Sequence, residues 1–87
     1  MYTFNVTDGM IHGGLTVTDE MRFGGLIDGN VTVRPGGNFI LGGIVTGDLT
    51  VEPGGELTVH GMVKGNIRNL GGKVNVTGIV DGHILTN

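Results

Sequence analysis

The sequence predicts an all-β protein, a short right-handed parallel β-solenoid of about four to five rungs, with three short strands per rung and each rung about 16–18 residues long. Three observations predict this fold. Glycine supplies 19 of the 87 residues, while Ala, Ser, Gln, Cys and Trp are absent. A glycine-bounded segment repeats along the chain, and apolar residues alternate with polar ones inside each repeat. Together they indicate short strands joined by tight corners.

The repeat is clearest in residues 25–42 and 43–60, two rungs of equal length. A shorter rung covers 61–77, a degenerate one precedes them at 9–24, and a partial one ends the chain at 78–87. Phe4 and Val6 are predicted to belong to the tail of a rung before the first. Because each such rung can bury its apolar side chains only against its neighbours, we treat residues 1–87 as one domain.

Strict alternation within a rung is the period of a half-buried strand. In the rung 43–60 it predicts strands at 44–46, 48–52 and 56–59. Aligning the rungs then predicts five inward columns of stacked apolar side chains: Ile11, Ile27, Val45, Val63 and Val80; Leu15, Val31, Leu49, Ile67 and Ile84; Val17, Val33 and Val51; Met21, Phe39, Leu57 and Val74; Phe23, Leu41, Val59 and Val76.

The corners between the strands carry turn residues at recurring positions. One corner has glycine in every rung, at Gly13, Gly29, Gly47, Gly65 and Gly82. Asn30, Asp48 and Asn66 follow three of these glycines, and we expect their side chains to bond their own turn and to stack as a ladder. A second corner reads Pro-Gly-Gly at 35–37 and 53–55, whereas the rung 61–77 has lost the proline.

A left-handed hexapeptide coil is the competing solenoid, and it requires one aliphatic residue every six positions. The predicted inward residues 27, 31, 33, 39, 41, 45, 49 and 51 do not follow that spacing. The sequence therefore favours the right-handed triangular form.

The rung pattern Gly-x-Val-x-Gly-Asp-Leu-x-Val-x-Pro-Gly-Gly-x-Leu-x-Val, at residues 43–59, resembles that of the bactofilins, which are polymer-forming bacterial cytoskeletal proteins. The resemblance covers residues 9–84. It implies a β-solenoid that assembles by stacking the ends of its coil. The chain also looks like small free-standing coils encoded beside bacterial polymorphic toxins, a likeness that implies an immunity role.

Charge and composition narrow the possible partners. The five Lys and Arg residues are scattered and the formal net charge is −3, so no basic stripe is available for phosphates and we expect no nucleic-acid partner. No apolar run is long enough to span a membrane, and residues 1–6 do not resemble a signal peptide. We expect a soluble, cytoplasmic protein that does not bind membranes.

Candidate catalytic groups are few, and we expect no enzyme, no catalytic residue and no cofactor. With neither Ser nor Cys, a nucleophile would have to be a threonine, but Thr16, Thr32 and Thr50 form a regular outward strand column. His12 and His60 fall on different columns, as does His83, which indicates surface histidines and no metal site.

One set of residues breaks the alternation and is the candidate partner-binding site. Met10, Leu26, Ile44, Met62 and Ile79 each precede an inward residue and should point outward. They would form an apolar stripe with a polar rim that includes Asp28, Lys64 and Asp81. An exposed apolar stripe usually marks an interface. The alternative is that these side chains tuck inward beside the corner glycine and widen the core.

The sequence thus predicts a rigid binding surface for one protein partner, most concretely an immunity-type protein that neutralises a toxin domain. The alternative is a scaffold that assembles with itself by stacking the open coil ends, where backbone groups and core are left uncovered.

Overall fold

A computed structural model describes residues 6–7 and 10–86 of the chain. All 15 elements in these residues are β-strands: β1 (Val6–Thr7), β2 (Met10–His12), β3 (Leu15–Val17), β4 (Glu20–Phe23), β5 (Leu26–Asp28), β6 (Val31–Val33), β7 (Asn38–Leu41), β8 (Ile44–Val45), β9 (Leu49–Val51), β10 (Glu56–Val59), β11 (Met62–Val63), β12 (Ile67–Asn69), β13 (Lys73–Val76), β14 (Ile79–Val80) and β15 (Ile84–Thr86).

Every third strand along the chain pairs in parallel, which produces three five-stranded sheets. Sheet 1 has the order β1-β4-β7-β10-β13, sheet 2 the order β2-β5-β8-β11-β14, and sheet 3 the order β3-β6-β9-β12-β15. Each rung therefore contributes one strand to each sheet. The predicted parallel β-solenoid with three strands per rung is confirmed, while its right-handedness stays a prediction.

The strand register confirms the predicted rungs. In sheet 2, Met10 lies beside Leu26, Leu26 beside Ile44, Ile44 beside Met62, and Met62 beside Ile79, so the two middle rungs are equally long and the rungs on either side of them are shorter. The strands 44–46 and 48–52 are shorter than predicted, at Ile44–Val45 and Leu49–Val51, because the corner residues leave the sheet. Val6 lies in β1 and pairs with Arg22, whereas Phe4 lies outside the described residues.

The core fills the space between the three sheets with the predicted apolar columns. Its buried members are Val17, Phe23, Ile27, Val31, Val33, Phe39, Leu41, Val45, Leu49, Val51, Leu57, Val59, Val63 and Ile67. Ile11, Leu15 and Met21 pack against this cluster from the first rung, and Val74, Val76 and Val80 do so from the last rungs. No polar or charged side chain is buried within the described part of the chain.

The glycine corner is tight for two different reasons. Gly13 has a φ of 90°, in the left-handed region that disfavours a side chain. Gly47 has no such φ, but a Cβ there would lie 2.4 Å from the carbonyl oxygen of Gly29 in the preceding rung. Close stacking of successive rungs therefore requires glycine at this position.

The polar residues after the corner glycines form a ladder between rungs. Oδ1 of Asn30 accepts the backbone amide of Asp48 at 2.9 Å, Oδ1 of Asp48 accepts that of Asn66 at 2.9 Å, and Oδ1 of Asn66 accepts that of His83 at 2.9 Å. The expected ladder is confirmed. The expectation that each side chain bonds its own turn was wrong, because each Oδ1 accepts a backbone amide of the next rung instead.

Candidate interaction surface

The five residues of the predicted apolar stripe lie in register on sheet 2, one on each strand from β2 to β14. Each precedes an inward residue of the same strand, and successive side chains of a strand point to opposite faces. With rungs about 4.8 Å apart, the stripe is about 19 Å long.

The exposure of these side chains decides between the two orientations that the sequence left open. Met10 is 56% exposed, Ile44 38% and Ile79 57%. Leu26 and Met62 are half-buried, and none of the five belongs to the core cluster or packs against it as a partly buried member. The stripe therefore lies on the outer face of sheet 2.

A second outward column lies beside the stripe, two residues further along each rung. We call it the rim; its members are His12, Asp28, Thr46, Lys64 and Asp81. Thr46 is half-buried and the other four are exposed. Asp28 makes two contacts within the rim: its Oδ1 accepts the hydroxyl of Thr46 at 3.0 Å, and its Oδ2 lies 3.5 Å from Nδ1 of His12. The rim is polar and carries both signs of charge.

The structure thus brings all eight predicted partner-binding residues onto one face. Met10, Leu26, Ile44, Met62 and Ile79 form its apolar stripe, and Asp28, Lys64 and Asp81 lie in its rim. Their role in binding a partner stays a prediction.

Sheet 3 carries a polar groove that the sequence did not single out. It has a volume of about 230 Å³ and is lined by Asn30, Thr32, Asp48, Thr50, Asn66, Arg68 and Leu85. The floor of the groove is the ladder together with the outward threonine column. Because the ladder oxygens are occupied by backbone amides, we assign these residues first to the stability of the coil.

The side chains weighed for chemistry are spread over the surface. Thr16, Thr32 and Thr50 lie in one outward register column of sheet 3, as predicted. His12, His60 and His83 are all exposed, which confirms the prediction of surface histidines. In the described residues, no three His, Asp or Glu side chains lie close enough together to hold a metal ion.

The rung that includes β15 is the last one among the described residues. Ile84 and Leu85 in β15 are each 46% exposed, and Val74, Val76 and Val80 are half-buried, in contrast to their fully buried counterparts one rung earlier. Ile84 belongs to an inward column, since it pairs with the buried Ile67. Within residues 10–86, no further rung covers this end.

Comparison with known proteins adds no relative: no family model matches the chain, and neither a curated protein nor a solved structure is significantly similar to it. Within the described residues, no helix has the length and apolar character needed to cross a membrane.

Proposed function

We propose that this protein is a non-enzymatic binding module that holds one protein partner against the outer face of sheet 2. Its most concrete role is that of an immunity-type protein that binds and neutralises a toxin domain. The observation that carries the proposal is the alignment of five apolar side chains outside the core, one on each strand of a single sheet.

The composition of this face suits a protein partner. A contiguous apolar stripe with a polar rim has the arrangement of a protein interface, in which an apolar centre is surrounded by polar groups. Met10 and Met62 lie in the stripe, and methionine adapts its shape to an irregular surface. The scattered cations and the net charge of −3 favour a protein over nucleic acid.

The backbone supports binding with little loss of conformational freedom. Backbone hydrogen bonds of 2.8 and 2.9 Å join successive rungs beside the stripe, from Ile44 to Gly25, from Met62 to Gly43 and from Lys64 to Val45. A surface that is ordered before it meets its partner avoids the entropic cost of ordering on binding. A rigid face also suits tight inhibition of one partner.

The absence of an enzymatic role is part of the proposal. It is supported by the regular placement of the threonine hydroxyls, which are part of the repeat pattern, and by the aliphatic side chains that fill the interior. An active site usually gathers a nucleophile, a base and a charged or polar stabiliser in a cavity.

The experiment identifies the genes next to that of this chain and co-expresses the chain with any toxin domain that they encode. We expect the wild-type chain to restore growth and to bind the isolated domain in calorimetry, and Ile44→Glu and Met62→Lys to abolish both while the circular dichroism spectrum is unchanged. Asn75→Glu, an exposed change on sheet 1, is the matched control and should bind as the wild type does. Binding by Ile44→Glu at wild-type affinity would exclude the stripe as the contact surface.

A bactofilin-like scaffold that stacks through its coil ends is the second candidate function. It is supported by the exposed Ile84 at the C-terminal end and by the resemblance of the rung pattern. An open coil end offers unpaired strand edges to another coil. This candidate requires a mass that grows without limit as concentration rises, and Ile84→Lys should prevent that growth.

A further inference from the structure

We propose that the outer face of sheet 2 packs against the same face of a second copy of the chain. The two copies are related by a two-fold axis that runs parallel to the strands, so the two coils are antiparallel. This inference rests on the proposed function, because it takes the stripe to be a protein-binding surface and names what occupies it in the isolated protein. The order of charges along the rim supports it.

The outer face of sheet 2 consists of two parallel columns of five positions each. His12 and Asp28 end strands β2 and β5, whereas Thr46, Lys64 and Asp81 directly follow β8, β11 and β14. Each rim residue is two positions after its stripe residue, which places the two columns about 6.6 Å apart along the strand direction. From the first rung to the last, the rim reads His12, Asp28, Thr46, Lys64 and Asp81. Four of these five positions carry an ionisable side chain.

Rotation about an axis that runs parallel to the middle strand β8, midway between the two sheets, reverses the order of the rungs and keeps stripe opposite stripe and rim opposite rim. The fourth rim position then faces the second, so Lys64 meets Asp28 of the second copy. The fifth faces the first, so Asp81 meets His12 of the second copy. Thr46 meets its own counterpart on the axis, and no two like charges are opposed.

The same rotation places the stripe against itself in reverse order. Ile44 faces Ile44 of the second copy, Met62 faces Leu26, and Ile79 faces Met10. A two-fold axis along the coil would also bring the stripes together, but it would place the two rims on opposite sides. The antiparallel arrangement is therefore the one that brings the opposite charges together across the interface.

The rim charges are available for such pairing. Asp28 is 59% exposed, and its contacts with Thr46 and His12 leave lone pairs on both carboxylate oxygens. Among the described residues, the exposed Lys64 makes no ion pair and no side-chain hydrogen bond. Packed sheets lie about 10 Å apart, a gap that an extended lysine and an aspartate can span together.

The small area of the face limits the affinity of the dimer. Five strands about 4.8 Å apart, each about five residues wide with its corners, give a face on the order of 300–400 Å². Stable complexes bury about 800 Å² on each partner. We therefore expect weak, reversible pairing that is populated at high micromolar concentrations and above. Being two-fold symmetric, the assembly is closed and stops at two copies.

A charge-exchange experiment tests the pairing by sedimentation equilibrium. In Asp28→Lys, lysines at positions 28 and 64 oppose each other; in Lys64→Glu, two acids do. We expect each variant alone to associate at least tenfold more weakly than the wild type. An equimolar mixture of the two should dimerise again, because both charge pairs are then restored between unlike chains. The double variant Asp28→Lys/Lys64→Glu should also dimerise, because each pair of facing residues again has opposite charges. It provides the test if either single variant fails to fold.

The outcomes separate this inference from the proposed function and from end stacking. A wild type that stays monomeric at all concentrations, single variants that associate as the wild type does, or a mixture that remains monomeric would each overturn the inference. Sedimentation of the isolated chain measures self-pairing in the absence of any other partner, so this inference can fail while the partner binding tested with Ile44→Glu and Met62→Lys stands. Mass that grows beyond two copies contradicts the closed dimer and indicates stacking of coil ends.

Discussion

The backbone amide of Asn66 donates a hydrogen bond to Oδ1 of Asp48, 2.9 Å away in the preceding rung. Asp48 in turn donates its own amide to Oδ1 of Asn30, also at 2.9 Å. Each rung thus offers a side-chain oxygen to the amide of the next at a corner where the sheets are interrupted. Without that oxygen, the amide would depend on water.

The ladder should contribute to stability through the acceptor atom and not through the charge. We expect Asp48→Ala to lower the free energy of unfolding by about 0.5–1.5 kcal/mol, the net value of one hydrogen bond. Asp48→Asn keeps Oδ1 and should stay within about 0.5 kcal/mol of the wild type. Urea unfolding followed by circular dichroism measures both, and equal losses in the two variants would contradict this role.

The corner glycines differ in how closely the preceding rung approaches them. A Cβ at Gly43 would lie 1.8 Å from the carbonyl oxygen of Gly25, whereas the nearest atom to a Cβ at Gly42 is the carbonyl oxygen of Phe23 at 3.8 Å. The contact at Gly43 involves backbone, so relief would require the rungs to separate. The two neighbouring glycines therefore form a matched pair for substitution.

We expect Gly43→Ala to destabilise the fold by more than about 3 kcal/mol, because its Cβ overlaps a backbone carbonyl. Gly42→Ala should fold and gain up to about 1 kcal/mol, since alanine restricts the unfolded chain at a site with room for the methyl group. The melting temperatures of both variants, measured by thermal unfolding, test these expectations. If Gly43→Ala melts at the wild-type temperature, close stacking does not require glycine there.

The sequence predicted the columns of the core and the glycine corner because both repeat with the rung. Ile27 and Val45 occupy equivalent positions in successive rungs, and the register pairs them as the spacing predicts. The sequence predicted an outward Ile44 but left an inward orientation open, because alternation alone does not show how a residue after a corner glycine is oriented. The match between opposite charges of two facing rims was also missed, since it arises only when a second copy is placed against the first.

The role of Asn69 was missed for a different reason. The rung 61–77 is one residue shorter than the rung before it, and the spacing does not show how the backbone of the shortened corner is arranged. In the structure, Asn69 takes the place next to Val51 in a column of valines. Its Oδ1 accepts the amides of Gly71 and Gly72 at 3.0 and 2.7 Å, and its Nδ2 donates to the carbonyl of Gly72 at 3.1 Å. The side chain thus organises the shortened turn.

This contact pattern predicts that valine, the residue at this position in the three preceding rungs, is worse than asparagine at position 69. We expect Asn69→Val to lower the free energy of unfolding by about 1–3 kcal/mol, because two turn amides lose their acceptor. Asn69→Asp keeps that acceptor and should lose less. Denaturant unfolding compares the two, and a more stable Asn69→Val would show that column packing outweighs the turn.

The antiparallel dimer predicts which positions of the stripe lie close together across the interface. The chain has no cysteine, so single cysteines can be introduced without competing thiols. Ile44 lies directly opposite its own counterpart across the proposed two-fold axis, and the two sheets are about 10 Å apart there. The two copies of Met10 lie at opposite ends of the stripe, about 19 Å apart along the coil.

A short bismaleimide matched to the distance between packed sheets should therefore cross-link Ile44→Cys to itself and leave Met10→Cys without a cross-link. A mixture of Met10→Cys and Ile79→Cys should yield a cross-linked pair of unlike chains, because these positions face each other. Mass spectrometry identifies the products, and dilution to low micromolar protein should abolish them. Efficient coupling of Met10→Cys to itself would instead require parallel coils, in which the charges of the two rims no longer meet.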